Sequence, residues 1–140
     1  MATVSPSWNY ALHLPRDPKA PGIARAALRG LLVAHGMEQH APTAELLASE
    51  LLSNAQLHTT GPYSLRIRTL EPAGRLVVAV RDSDPRIPVA FQQGALIDVP
   101  PEGAEHGRGL LLVKACADAW GVSATRTGKL LWATCRSAGE

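Results

Sequence analysis

Two adjacent runs, YSLRIRTL (63–70) and RLVVAVRD (75–82), constrain this chain more than any other feature. The first alternates in polarity, and the second is β-branched and almost wholly apolar at its centre, so both read as strands. Only EPAG separates them, which makes them a hairpin. Around this hairpin the periodicity changes. Upstream, Ala24, Ala27, Leu28, Leu31 and Leu32 recur at helical spacing between Ile23 and His35, and Gly36 stops the helix. A second helix follows in APTAELLASELLSNAQLH, with Thr43 as the expected cap and Gly61-Pro62 as its close. WNYALHL (8–14) reads as a first strand ended by Pro15. Downstream, GRGLLLVKACADAW reads as a third helix, and GVSATR and KLLWATCR as a last hairpin around a Thr-Gly turn. The order β-α-α-β-β-loop-α-β-β predicts an α+β fold, a sheet covered on one face by helices.

A chain of 140 residues fits one domain, with a core expected over residues 8–135. Aromatics are only 4% of the residues, so that core must be built mostly from Leu, Val and Ala. The formal net charge is +2, with the basic residues scattered singly, which argues against direct nucleic-acid binding. Neither Cys116 nor Cys135 sits in a metal-like spacing, and both are expected to be reduced core residues. The five histidines show no ligand spacing. No signal pattern opens the sequence and no apolar run approaches ~20 residues, so a cytoplasmic protein without a membrane span is expected.

The second helix carries an irregularity. On a helical wheel Glu45, Ser49, Ser53 and Gln56 gather on one arc, while Ala44, Leu47, Leu51 and Ala55 gather on the opposite one. Glu50 and Asn54 do not join the polar arc. They project between Leu46 and Leu57 on one side and Leu47 and Leu51 on the other. A carboxylate and a carboxamide thus point together toward the protein, with Cβ atoms about 6 Å apart. Burying them without partners is costly. Either they bond to backbone or water at the core margin, or they face a cleft holding a polar ligand, where such a pair suits a hard cation such as Mg2+.

Two further features bear on that choice. RLVVAVRD ends in Asp82, where a carboxylate can accept from an exocyclic amine; Asp82, Ser83, Asp84 and Pro85 also read as a plain turn. GAEHGRGL places Gly103, Gly107 and Gly109 before a helix, whose exposed N–H groups and dipole attract phosphate. No G-K-[ST] follows, so this is not a P-loop, and no strand directly precedes it, so it is not a dinucleotide turn. Between these features, Ser83 to His106 has no regular pattern and holds four prolines, the mark of a functional or mobile loop.

ELLSN, VRDSDP and GRGLLLV, in this order, resemble the N box and the two glycine boxes of the Bergerat-fold ATP-binding domain of the GHKL superfamily. The small size and the closing AWGV…GKLLWA look most like the anti-sigma-factor serine/threonine kinases. The resemblance runs from Trp8 to Cys135 and implies a two-layer α/β sandwich with a mixed, mostly antiparallel sheet. It also implies ATP and Mg2+ as ligands. Asn54 would hold Mg2+ bridging the phosphates, and Glu50 would be the general base. Asp82 would bind the adenine amino group, with Gly107, Arg108, Gly109 and Leu110 contacting phosphates and Ser83 to His106 forming a lid. His58, one turn beyond Asn54, would approach the ribose or phosphates.

Three departures qualify the resemblance. Ser83-Asp84-Pro85-Arg86 stands where the family carries glycines, Glu105 where an arginine often meets the terminal phosphate, and Lys129 where a threonine often stands. Lys129 reads as a solvated turn residue. Nucleotide binding is therefore expected more firmly than phosphoryl transfer, which depends on positioning and charge stabilisation. The leading expectation is a kinase acting on a serine or threonine of an antagonist protein, with a sigma factor as a further partner and pairing as a homodimer. The rivals are a non-catalytic ATP-binding switch and a detached histidine-kinase catalytic domain, the latter disfavoured by the lack of a dimerisation helix pair with an acceptor histidine.

Overall fold

A computed structural model of the chain describes residues 7–70, 74–92 and 112–135. Strand β1 (Asn9–Leu14) leads into helix α1 (Ala20–Ala34), a 3-10 turn (Glu38–His40) and helix α2 (Ala41–His58). Strands β2 (Tyr63–Leu70) and β3 (Arg75–Asp82) form the hairpin, and β4 (Ala119–Ala124) and β5 (Lys129–Thr134) close the chain. The sheet order is β1-β2-β3-β5-β4, with antiparallel pairing throughout. The helices cover one face, as expected for this fold class, and α2 lies mainly over β3. No helix among the described residues is long and apolar enough to cross a membrane.

Local chemistry explains the element ends. Helix α1 stops because Gly36 takes φ 71, which only glycine adopts without strain. The Met37 N–H then donates to Leu32 O at 2.7 Å and the Gly36 N–H to Val33 O at 3.1 Å, satisfying two end carbonyls. Helix α2 begins earlier than its expected cap. Thr43 lies inside its first turn, because the 3-10 turn runs directly into Ala41 and Pro42 supplies a ready-made helical φ without needing a partner for an N–H. At the other end the Thr59 hydroxyl donates to Ala55 O at 2.6 Å, and Arg16 Nε donates to Thr59 O at 2.7 Å.

The core lies between the layers. Leu28 and Leu32 from α1, Leu47, Leu51 and Leu52 from α2, and Leu65, Ile67, Val78, Val80 and Leu131 from the sheet are all fully buried. Cys135 joins this core, burial pushes its thiol up to about 12, and neither cysteine forms a disulfide. The third helix is shorter at its C-terminal end than its periodicity predicts. Residues 112–116 are helical, but Ala119 and Trp120 already belong to β4. Pairing decides this, since the Asp118 N–H donates to Thr134 O at 2.9 Å and the Ala119 N–H to Thr134 Oγ1 at 2.9 Å. Phe91, inside the stretch expected to be patternless, is 1% exposed and packs on Trp120 with ring centroids 5.1 Å apart. The first part of that loop is therefore anchored in the core.

Candidate functional site

Helix α2 presents Glu50 and Asn54 one turn apart, as the wheel requires. Asn54 is only 9% exposed, and its neighbours on the buried face are Leu47, Leu51 and Ala55. It has no hydrogen-bond partner among the described residues. Its carboxamide brings two donors and an acceptor and is not fully enclosed, so water or a ligand can meet it. Glu50 is half-buried and forms no ion pair among the described residues.

The end of β3 holds the second part. Asp82 is the last residue of the strand, its side chain turned toward the helix layer like Val80 and Val78 two and four residues earlier. Directly opposite on β5 stands Lys129. Lys129 Nζ donates to Asp82 Oδ1 at 3.0 Å and to Asp84 O at 2.8 Å, and the Asp84 N–H donates to Asp82 Oδ1 at 2.8 Å. The two side chains are 3% and 1% exposed. Contrary to the expectation from sequence, Lys129 is thus no solvated turn residue but a buried one. It opens β5 on the inward register, with Leu131 and Ala133 following on the same side. The turn before it is forced inward as well, since a Cβ on Gly128 would lie 2.2 Å from Asp82 O.

This arrangement occupies one carboxylate oxygen fully and leaves the other idle. Among the described residues, nothing donates a hydrogen bond to the buried Asp82 Oδ2. A buried carboxylate oxygen without a donor is costly, so this atom calls for a further donor. Two residues on, Arg86 binds Asp84 through its side chain and backbone and holds that carboxyl down to about 2.

The two parts share one end of the molecule. Tyr63, the first residue of β2, donates its hydroxyl to Gln56 Oε1 on α2 at 2.8 Å, and burial raises its phenol above the usual range, keeping it a donor. Tyr63 precedes Ser64, which pairs with Arg81, the neighbour of Asp82. The C-terminal half of α2 and the C-terminal end of β3 therefore lie at the same end of the sheet. His58 is the last residue of α2 and is exposed. Gly107, Arg108, Gly109, Leu110 and Glu105, with the rest of the expected lid beyond Gln92, lie outside the described residues.

The layering, the helix with its inward Asn54 and the carboxylate at the end of β3 define a class of protein. The chain belongs to the family of histidine kinase-like ATPase domains, whose family model matches residues 14–135. The match covers α1, α2 and β2 to β5, and reaches only the last residue of β1, Leu14. No curated protein matches the sequence closely enough to add a relative to that finding. Membership makes this an ATP-binding domain of the GHKL type.

Proposed function

We propose that the protein is an ATP- and Mg2+-binding regulator of the anti-sigma-factor kinase type, acting in the cytoplasm. It would phosphorylate a serine or threonine of an antagonist protein, bind a sigma factor, or do both. The observation that carries the nucleotide part is the idle Oδ2 of Asp82, a buried acceptor in an ATP-binding family. An exocyclic amine supplies the donor it lacks. The amide oxygen of Asn54 is the natural ligand for Mg2+, and Gly107, Arg108, Gly109 and Leu110 would supply phosphate contacts.

Mg2+, when bound, supplies charge neutralisation on the phosphates. Asn54 orients that charge from the buried face of α2. Glu50 would accept the proton of the attacking hydroxyl as its oxygen bonds to the terminal phosphorus of ATP and the bond from that phosphorus to ADP breaks, so that ADP leaves. His58 sits one turn beyond Asn54, toward the ribose or phosphates. A second reading, a non-catalytic ATP-binding switch, is favoured by Lys129. Its ammonium already neutralises Asp82, a base site built for retention as readily as for turnover.

Calorimetric titration separates the parts. ATP with Mg2+ should bind the wild type, and Asn54→Ala should weaken that binding at least tenfold with Mg2+ while changing it little without metal. Glu50→Ala should bind like wild type and fail to transfer label from ATP to the antagonist protein. Equal transfer by wild type and Glu50→Ala rules out the base; absence of any nucleotide binding rules out the whole reading.

A further inference from the structure

The face of the sheet turned away from the helices carries a concentration of positive charge. Leu65 and Ile67 of β2 lie in the core, so Ser64, Arg66 and Arg68 project to the opposite face. Val78 and Val80 of β3 do the same for Arg75 and Arg81. Four arginines thus share one surface, and among the described residues only Arg75 has a carboxylate partner, Asp118 at 3.1 Å. Like charges on neighbouring strands repel unless an anion joins them.

At one end of this face a cleft of about 410 Å³ is lined by His13, Ser64, Arg66, Arg81, Ser83 and Thr127, among others. The register sets His13 and Arg81 on either side of Ser64. Arg66 follows Ser64 on the same face of β2 and donates from Nε to Ser64 Oγ at 3.4 Å. Ser64 is 4% exposed, a small polar floor below three longer basic side chains. Among the described residues, His13 and Arg81 have no hydrogen-bond or ion-pair partner. The one carboxylate among the lining residues is that of Asp82, already held by Lys129 on the helix side of the sheet.

We propose that this cleft is a binding site for a phosphate group, free or carried as a monoester on a serine or threonine side chain. Arg66 and Arg81 supply two fixed charges and planar donor forks, matching a group of charge about −1.5 to −2 with three terminal oxygens. The Ser64 hydroxyl and an N–H of His13 complete the donor set. A carboxylate has only two oxygens and one charge, and a single bidentate arginine satisfies it. Asp82 borders both this cleft and the base end of the nucleotide reading, but Glu50 and Asn54, its metal and phosphate end, stand on the helix that covers the other face.

Amide NMR titration tests this, using inorganic phosphate and, separately, N-acetyl-phosphoserine amide, at ionic strength fixed with NaCl and without nucleotide or Mg2+. Saturable shifts are expected at His13, Ser64, Arg66, Arg81 and Thr127. The variant Arg66→Gln/Arg81→Gln should weaken them at least tenfold, and the exposed Arg81→Gln alone at least threefold. Arg68→Gln, on the same face but outside the cleft, should change little. Tighter binding of the phosphoserine amide identifies a phosphorylated side chain as the source, and tighter binding of inorganic phosphate identifies the free anion. The proposal is overturned if the shifts do not saturate, if they survive the double substitution, if sodium acetate matches them, or if they fall on α2 around Asn54 instead.

Discussion

Asp82 and Asp84 are two residues apart and both pair with a cation, yet they occupy opposite physical regimes. The Asp82–Lys129 pair is enclosed, with side chains 1% and 3% exposed. The Asp84–Arg86 pair joins a mostly covered carboxylate to a guanidinium that is 82% exposed. In the first, each charge has surrendered its water and depends on its partner. In the second, water screens the attraction and either group survives alone. The difference indicates where the candidate site is fragile. The floor proposed for base recognition rests on an ion pair that must be intact, while the turn above it is held by replaceable contacts.

Breaking the enclosed pair should give the largest effect. Lys129→Met leaves the Asp82 carboxylate buried with one oxygen already idle, and is expected to destabilise the fold by about 3–5 kcal/mol. Chemical denaturation measures this. Asp82→Leu added to Lys129→Met should recover much of the loss, because an apolar pair of similar volume has no charge to compensate. A loss below about 1 kcal/mol for Lys129→Met would place this pair with the screened ones and erase the contrast.

The same contrast explains what was legible in the sequence. Strands β2 and β3 and the C-terminal end of α2 have the bounds that their periodicity and turn residues predict, because each signal is local. Asn54 was equally legible, since a wheel alone sets its direction. Lys129 was misread because its partner is 47 positions away and the preceding glycine looked like the centre of an exposed turn. One signal was present: Lys129, Leu131 and Ala133 alternate onto one face, and a strand whose other inward residues are apolar buries its first one too. Ala119 and Trp120 were assigned to a helix for a related reason. Their strand state comes from Thr134 across the sheet, a contact no local pattern announces. Thr43 failed as a cap because Pro42 and the preceding turn start the helix without one.

A smaller effect is expected where backbone, not charge, brings the enclosed pair together. A Cβ at position 128 would meet Asp82 O at 2.2 Å and Ser83 Cα at 3.3 Å, so the β4–β5 turn passes over the end of β3 with no room for a side chain. Gly128→Ala must push the turn outward and draw Lys129 with it. The expected loss is about 1–3 kcal/mol, the range for overpacking a filled site. A crystal structure of that variant should show the Lys129–Asp82 distance lengthened from 3.0 Å. An unchanged distance with full stability would mean that the turn is not what holds the pair.

The exposed pair should respond least, and its response has a definite sign in pH. Arg86 holds the Asp84 carboxyl down to about 2, with its side-chain hydrogen bond the leading cause and its backbone N–H the next. An unfolded chain has aspartate near about 3.9. A depressed folded value means that the contribution is fully present above about 4 and is lost as pH falls toward about 2. Because the guanidinium is solvated, that contribution should stay below about 1 kcal/mol and shrink with added salt. Arg86→Ala should therefore move the Asp84 titration, followed by carboxyl NMR, up toward the ordinary aspartate range, leaving the neutral-pH melting temperature nearly unchanged. If the substitution instead costs as much as Lys129→Met, then Asp84 is a structural member of the site floor. Its backbone carbonyl, which already accepts from Lys129 Nζ, would be the link that carries the damage there.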